Sequence, residues 1–538
     1  MRRKALSDNG IRNICPSPRR WGVLLLAVLA TWLPSGPGLA AQEQEDEPRV
    51  LDLTLERMVD LALSRSYQVR QLNLSIERDQ HNLRAEQARL KSSVDLDLTM
   101  PSYRLTSEPK WNSVLQKNEI VQENRRTWEG QLAVRQPVVL FGYPTNGYLS
   151  FNNRMYRYLQ IKAGGEEDVR YYNRYFIRYT QPLFQPNALK NNLEKAELSL
   201  ESTQLDFYDD VVGIVDNVSG DYFDLFEDVY KAFITRDLVE NLERALQMAR
   251  EMAGADSARG IDVDQTLVEL ANTREQLQRS ESAFRLRSSG VKQRLGLLES
   301  DSIALEPAFR LEPVFIDVEE ATRRAMEITP RMRQLDIRLR QSEIRLEETK
   351  GRGGFRMDLS LSYGRERQDE LFDRIWVDPD NSYTIDVKAY LPLWDWGERN
   401  ARISSSRIGI DQTRLRMEEA EIQLKARIRN EVLNVREYQD RTMAMLENLE
   451  LARAVSASGF RRYESGAIGA FELIQSLRRE ADTANNFLDA YIGWRKALLR
   501  LQRLTYYDFE TGMSVLEHYG VAGGLRGNGG GGFPGRSN

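Results

Sequence analysis

The chain carries one cysteine, Cys15, and two histidines, His81 and His518, in 538 residues. A lone thiol excludes an internal disulfide framework and a cysteine-based metal site. Two histidines so far apart leave little for a His-ligated metal. No phosphate-cradling glycine loop follows a strand, and no nucleophile motif stands out. The sequence therefore reads as non-enzymatic, with no cofactor and no resident metal. Basic residues are not in excess either: 75 Lys and Arg stand against 80 Asp and Glu, a net charge of −5. Nothing in that balance suggests a nucleic-acid partner. Long apolar runs are scarce. The longest, at 21–33, falls short of the ~20 residues that span a bilayer as a helix. A mean hydropathy of −0.54 excludes a helical membrane bundle but not a β-barrel, whose strands signal only weakly.

The run at 21–33 has the form of a secretory signal. Arg2, Arg3, Lys4, Arg19 and Arg20 precede it, and the small residues Gly38 and Ala40 follow. Cleavage is expected after Ala40 or Ala41, so residues 1–40 are assigned as signal peptide. Cys15 leaves with it, and the mature chain has neither thiol nor lipid-modified cysteine. Residues 510–538, glycine-rich with Pro534, are expected to form a disordered tail.

Between these ends the chain repeats one plan. Residues 53–75 align on 316–338, an offset of 263, with Glu56 on Glu319, Ala62 on Ala325 and Leu72 on Leu335. The same offset lays Asp95, Leu96 and Leu98 on Asp358, Leu359 and Leu361. Val94, Leu96, Leu98 and Met100 alternate with polar residues, as do Met357, Leu359, Leu361 and Tyr363. Period two means a strand with one apolar and one polar face. The pattern alone fits a half-buried soluble sheet or a barrel wall. Further on, 180–184 align on 390–394 at an offset of 210. The change of 53 residues marks an insertion at about 104–170, read as an extra hairpin of undecided place. The first repeat spans 41–310 and the second 311–509.

Each strand pair leads into a stretch poor in helix breakers. Residues 188–251 hold two glycines and no proline, and 399–458 hold one glycine and no proline. At 1.5 Å per residue, ~60 residues make a helix of about 90 Å. Each long helix reaches a turn and returns. The turns align at the 210 offset, with Asp262 on Glu472 and Leu267 on Leu477. Gly254, Gly260, Gly466 and Gly469 are read as reversal glycines that need positive φ. Asp262, Asp264 and Glu472 sit just past the turns. The bland reading is that they meet the positive end of their own helices. The sharper one is a ring of carboxylates around an aperture, which favours cations. Four strands cannot close a transmembrane barrel alone, so membrane strands imply that several chains share one barrel.

The duplicated helix, strand pair and long hairpin, the "PLWDWGERNARI" stretch at 392–403 and the "YESGAIGAFELIQS" tip at 463–476 together resemble the outer-membrane efflux protein family, the TolC-like outer-membrane factors. The resemblance covers residues 51–509. It implies a mixed α and β fold: a trimeric transmembrane β-barrel, four strands per chain, continued by a long periplasmic α-helical barrel. It implies a passive exit duct of a tripartite efflux or type I secretion system. The partners would be outer-membrane lipid, a periplasmic adaptor and an inner-membrane pump, and the cargo small molecules or proteins. At the tip Tyr463 and Gly466 match the family pattern, as does Glu472 at the first acidic position. Gln475 stands at the second acidic position, and Ile468 where some members carry a latching arginine. The competing reading is a non-conducting periplasmic coiled-coil adaptor or spacer, which needs one hairpin rather than two and no paired amphipathic strands.

Overall fold

The computed structural model describes residues 50–65, 67–112, 116–161, 167–255, 260–305 and 309–519. The signal peptide and residues 520–538 lie outside them. Two repeats are visible in the element order. The first runs through β1 (Val50–Asp52), α1 (Leu55–Arg65), α2 (Tyr67–Ala88), β2 (Ser93–Asn112), β3 (Lys117–Leu140), β4 (Tyr143–Ile161), β5 (Glu167–Leu183), α3 (Ala188–Ala255) and α4 (Gly260–Leu295). The second runs through β6 (Ser302–Ala304), α5 (Val318–Ile328), α6 (Pro330–Arg352), β7 (Arg356–Asp369), β8 (Asp380–Tyr390), α7 (Glu398–Glu464) and α8 (Ala470–Thr505). The starts of α1 and α5, and of β2 and β7, stand 263 residues apart. Those of α3 and α7, and of α4 and α8, stand 210 apart.

The long strands form one antiparallel sheet in the order β2-β3-β4-β5-β7-β8. The basic family pattern has four strands per chain; the insertion, which left six open, supplies the other two. The insertion contributes β3 and β4, which pair with each other and separate β2 from β5. A two-residue turn, Phe141–Gly142, joins them, with positive φ at both residues, the backbone that matches strand twist. Asn187 and Asn146 tie this turn to the start of α3 through the Pro144 and Pro186 carbonyls. The inserted hairpin therefore hangs with its turn at the helical end of the sheet.

The register puts Val94, Leu132, Phe151, Ile177, Leu361 and Ile385 on one face, with Asp95, Arg135, Arg178, Ser360 and Asp386 on the other. Val94, Leu96, Leu98, Ile385 and Val387 are all more than half exposed. From Val94 to Met100 the apolar band measures about 20 Å along the strand, close to the ~25 Å of a membrane barrel. Phe141, Phe184, Trp394 and Trp396 stand at least two-thirds exposed where strands meet helices, the place of an interfacial aromatic girdle. Among the described residues no helix is long and apolar enough to cross a membrane.

Helices α3 and α7 contain 68 and 67 residues, about 100 Å each. Asp395 starts α7 by accepting the Gly397 and Arg399 amides at 2.9 and 3.1 Å. Asn187 does the same for α3, accepting the Lys190 amide at 3.0 Å. Along α7 the buried positions Ile428, Val432, Val435, Gln439 and Thr442 step by four and three, the seam of a left-handed coiled coil. A second stripe, Ile408, Leu415 and Ile422, recurs every seven residues and is left exposed. Three apolar clusters stack along the helices: one around α1 and the start of α3, one around Trp494 and Tyr491, and one at the tips.

Residues 510–519, the first part of the expected tail, are ordered. Residues 507–508 and 513–514 pair as β9 (Tyr507–Asp508) and β10 (Met513–Ser514), followed by α9 (Val515–His518). Tyr506, Val515 and Leu516 are buried, and burial pushes the Tyr519 phenol up to about 12. Arg495, itself buried, donates to Glu510 at 2.5 and 2.8 Å. Glycine content misled the reading, because the apolar anchors precede the glycine run. Ending the chain after Thr505 removes three buried side chains worth roughly 1.5–3 kcal/mol each and leaves Arg495 without its carboxylate. The expected loss of at least about 4 kcal/mol is read by thermal denaturation of the assembled protein.

Candidate functional site at the helical tips

The second tip closes by a hydrogen-bonding pattern that the local sequence dictates. Helix α7 ends at Glu464, and Gly466 takes φ +73°. The Ala467 amide reaches back to the Arg462 carbonyl at 2.8 Å, and the Gly466 amide to Tyr463 at 2.9 Å. These are the two bonds of a Schellman motif, which needs a left-handed residue after the cap and so selects glycine. Arg461 and Arg462 occupy the last turn, where cations meet the negative helix end. Gly469 then precedes α8 in extended conformation, φ −84°, and caps nothing with its missing side chain. Gly254 and Gly260 are helical, without positive φ. Of the four glycines read as reversal residues, only Gly466 has that role. Residues 256–259, the first turn itself, lie outside those described.

What caps α8 comes from the other hairpin. The Asp262 carboxylate accepts the Ala470 amide at 3.4 Å. Asp262 stands in the first turn of its own helix, as the bland reading has it, and also links the two tips. Two helical turns further on, Glu269 of α4 receives both guanidinium arms of Arg478 of α8. Glu269 is buried, whereas the Arg478 side chain is about half exposed. The paired carboxylate, first among the causes, raises the Arg478 guanidinium above its ordinary pKa. The sequence reading passed over this pair. Its signal was there: Glu269 stands between Thr266 and Leu270 and Thr273 on the buried stripe of α4, where a charge needs a partner.

The remaining site residues divide by exposure. Tyr463 and Ile468 are buried in the apolar cluster of the tips, with Leu242, Leu246, Leu270, Leu473 and Leu477. Ile468 therefore serves packing between the hairpins. Gly260, Gly466, Asp264, Glu472 and Gln475 are exposed, with Asp262 half-buried. Glu472 and Gln475 share one face of α8 by their spacing of three, and Arg479 and Asp482 continue that stripe. The tip thus presents exposed carboxylates over an apolar knot, and there the Glu269–Arg478 pair and the Asp262 cap link the two hairpins; further from the tip, pairs such as Lys231–Asp489 and Lys496–Asp224 join them as well.

Residues 327–505, from the end of α5 through α8, match the family described as Outer membrane efflux protein. The whole fold matches solved channels. CmeC, the outer membrane channel of Campylobacter jejuni, aligns with a TM-score of 0.63 at 12% identity, covering 91% of this chain and 94% of that one. The second repeat thus matches the outer membrane efflux protein model, and the whole chain has the fold of these channels. CusC, solved in a study of transmembrane channel formation, aligns at 0.61 with 13% identity over 86% and 95% of the two chains. The outer-membrane channel OprN aligns at 0.62 with 15% identity over 86% and 93%. Comparison with curated protein sequences finds no match. The solved relatives of this fold include outer-membrane channels. The two hairpins and the six-stranded sheet are not those of a single-hairpin spacer.

Proposed function

We propose that this chain is an outer-membrane efflux channel that works as a homotrimer, the periplasmic and outer-membrane exit duct of a tripartite pump or a type I secretion system. Channels of its family are trimeric members of tripartite pumps. The observation that carries the reading is the unclosed sheet. Strands β2 and β8 each pair on one side only, and an open edge in hydrocarbon is untenable. The exposed apolar stripe on α7 calls for a partner helix. Three copies at six strands each close eighteen strands. An inner-membrane pump loads the duct through an adaptor seated on the tips, and the duct itself selects little.

The tips form the gate. At rest the apolar knot around Tyr463 and Ile468 holds the hairpins together, with Glu269–Arg478 and Asp262–Ala470 as cross-links. Adaptor docking splays them. Asp264 and Glu472, repeated three times, ring the aperture and favour cations; Gln475 adds no charge.

Planar-bilayer recording tests this. The wild type should give small, cation-selective currents from a heat-modifiable oligomer. Neutralising Asp264 and Glu472 together should remove most of the cation preference, read as a reversal potential near zero in a salt gradient. Unchanged selectivity would sink the ring, and a detergent-independent monomer would sink the channel.

A further inference from the structure

On the apolar face of the sheet, at the end away from the helices, the wall carries a trough. The register places Gly130 between Leu98 on β2 and Met155 on β4. A residue without a side chain leaves the floor low, and Leu98 and Met155 rise on either side. The connection between β7 and β8 folds back over this face. Its short turn Phe372–Trp376 buries Ile375 against the wall. Arg365 and Arg367 hold it there by donating to the Pro379 and Asp378 carbonyls at 2.8 and 2.9 Å. Between wall and turn lies a groove of about 340 Å³, lined by Leu98, Met100, Met155, Phe372 and Ile375. Leu371, Phe372, Trp376 and Val377 face outward, about half exposed.

The groove has a charged rim. Arg157 lies over the Trp128 ring at 4.7 Å and near Tyr171 at 5.9 Å. Among the described residues no carboxylate pairs with it. Trp128, opposite Arg157, adjoins Gly130 at the top of the apolar band. Here a bilayer passes from acyl chain to headgroup.

We propose that this groove binds an anionic lipid of the outer leaflet, one acyl chain along the Gly130 trough and a headgroup phosphate on Arg157. The proposal rests on the outer-membrane reading, which sets that face against lipid. Charge complementarity chooses the occupant: an apolar slot ending on an unpaired guanidinium suits an acylated anion and not a neutral lipid or a peptide. The turn 372–376, clamped over the chain, joins the bound lipid to the connection above the exit.

The test uses the full chain extracted from membranes in mild detergent and stripped of lipid. A bisphosphorylated, multiply acylated glycolipid and phosphatidylethanolamine are added in turn, and bound copies are counted by native mass spectrometry. The wild type should hold the glycolipid and discriminate against phosphatidylethanolamine. Arg157→Gln should weaken glycolipid binding roughly fivefold, the scale of one cation at a lipid surface. Gly130→Val fills the trough. A Cβ there meets only the Leu98 Cδ2 atom, at 3.4 Å, so the strand tolerates it, and binding should fall at least about tenfold. Equal retention by wild type and both variants, equal binding of the two lipids, or a cross-link showing the groove filled by a neighbouring copy overturns the proposal. Bilayer conductance of the same preparation is recorded alongside. Currents without lipid binding condemn the groove alone, whereas absent currents condemn the channel reading.

Discussion

Arg478→Ala should open the gate. The substitution leaves Glu269 buried with no counter-charge between α4 and α8. Removing one partner of a buried pair costs about 3–5 kcal/mol. Arg478 is about half exposed, so water recovers part of that, and about 2 kcal/mol is the expected loss. It falls on the contact between the two hairpins, which the closed tip needs and the splayed tip does not. A shift of about 2 kcal/mol changes a two-state equilibrium roughly thirtyfold. Open-channel events in planar bilayers should become that much more frequent, and cells should admit large polar solutes that the wild type keeps out. Glu269→Gln should act more weakly, since the amide still accepts from the guanidinium. Leu473→Ala, in the same apolar knot, should loosen the tip by a separate route, about 2–5 kcal/mol for a buried leucine. If Arg478→Ala records like wild type while Leu473→Ala opens, the apolar knot alone holds the gate.

The barrel should be wide. Strands ~4.8 Å apart and tilted about 40° close at a diameter of about 36 Å for eighteen strands and about 24 Å for twelve. A top view by electron microscopy distinguishes these directly. Excision of residues 117–161 offers a second test. It removes β3 and β4 together, so that β2 and β5 keep opposite directions and can pair as β7 and β8 do. The shortened chain should still form a heat-modifiable oligomer, and the largest polymer that enters from the extracellular side should shrink in diameter by about a third. Loss of assembly would leave the top view of the full chain to decide. A barrel of twelve strands there, with β3 and β4 lying outside it, would refute the eighteen-stranded closure.

The same residues show where reading the chain unaided succeeds. The repeat was legible because it is one-dimensional: Leu53 onto Ile316 and Thr180 onto Tyr390 need no spatial knowledge. Strand alternation and the long breaker-poor helices are local patterns of period two and 3.6, and they survive in any tertiary setting. Phe141–Gly142 joining β3 to β4, by contrast, lies in an insertion with no counterpart in the second repeat. Its place was decided by pairing across strands distant in sequence.

The sequence by itself determined the duplicated plan, the amphipathic wall, the two hairpins and the glycine at 466, since each follows from spacing or from one residue's backbone preference. Only the tertiary structure decided the sixth strand, the anchored stretch 506–519, the Glu269–Arg478 pair and the partner of Asp262. Each of these is a contact between segments far apart in the chain, and such contacts depend on which helix faces which, a quantity that no local pattern encodes.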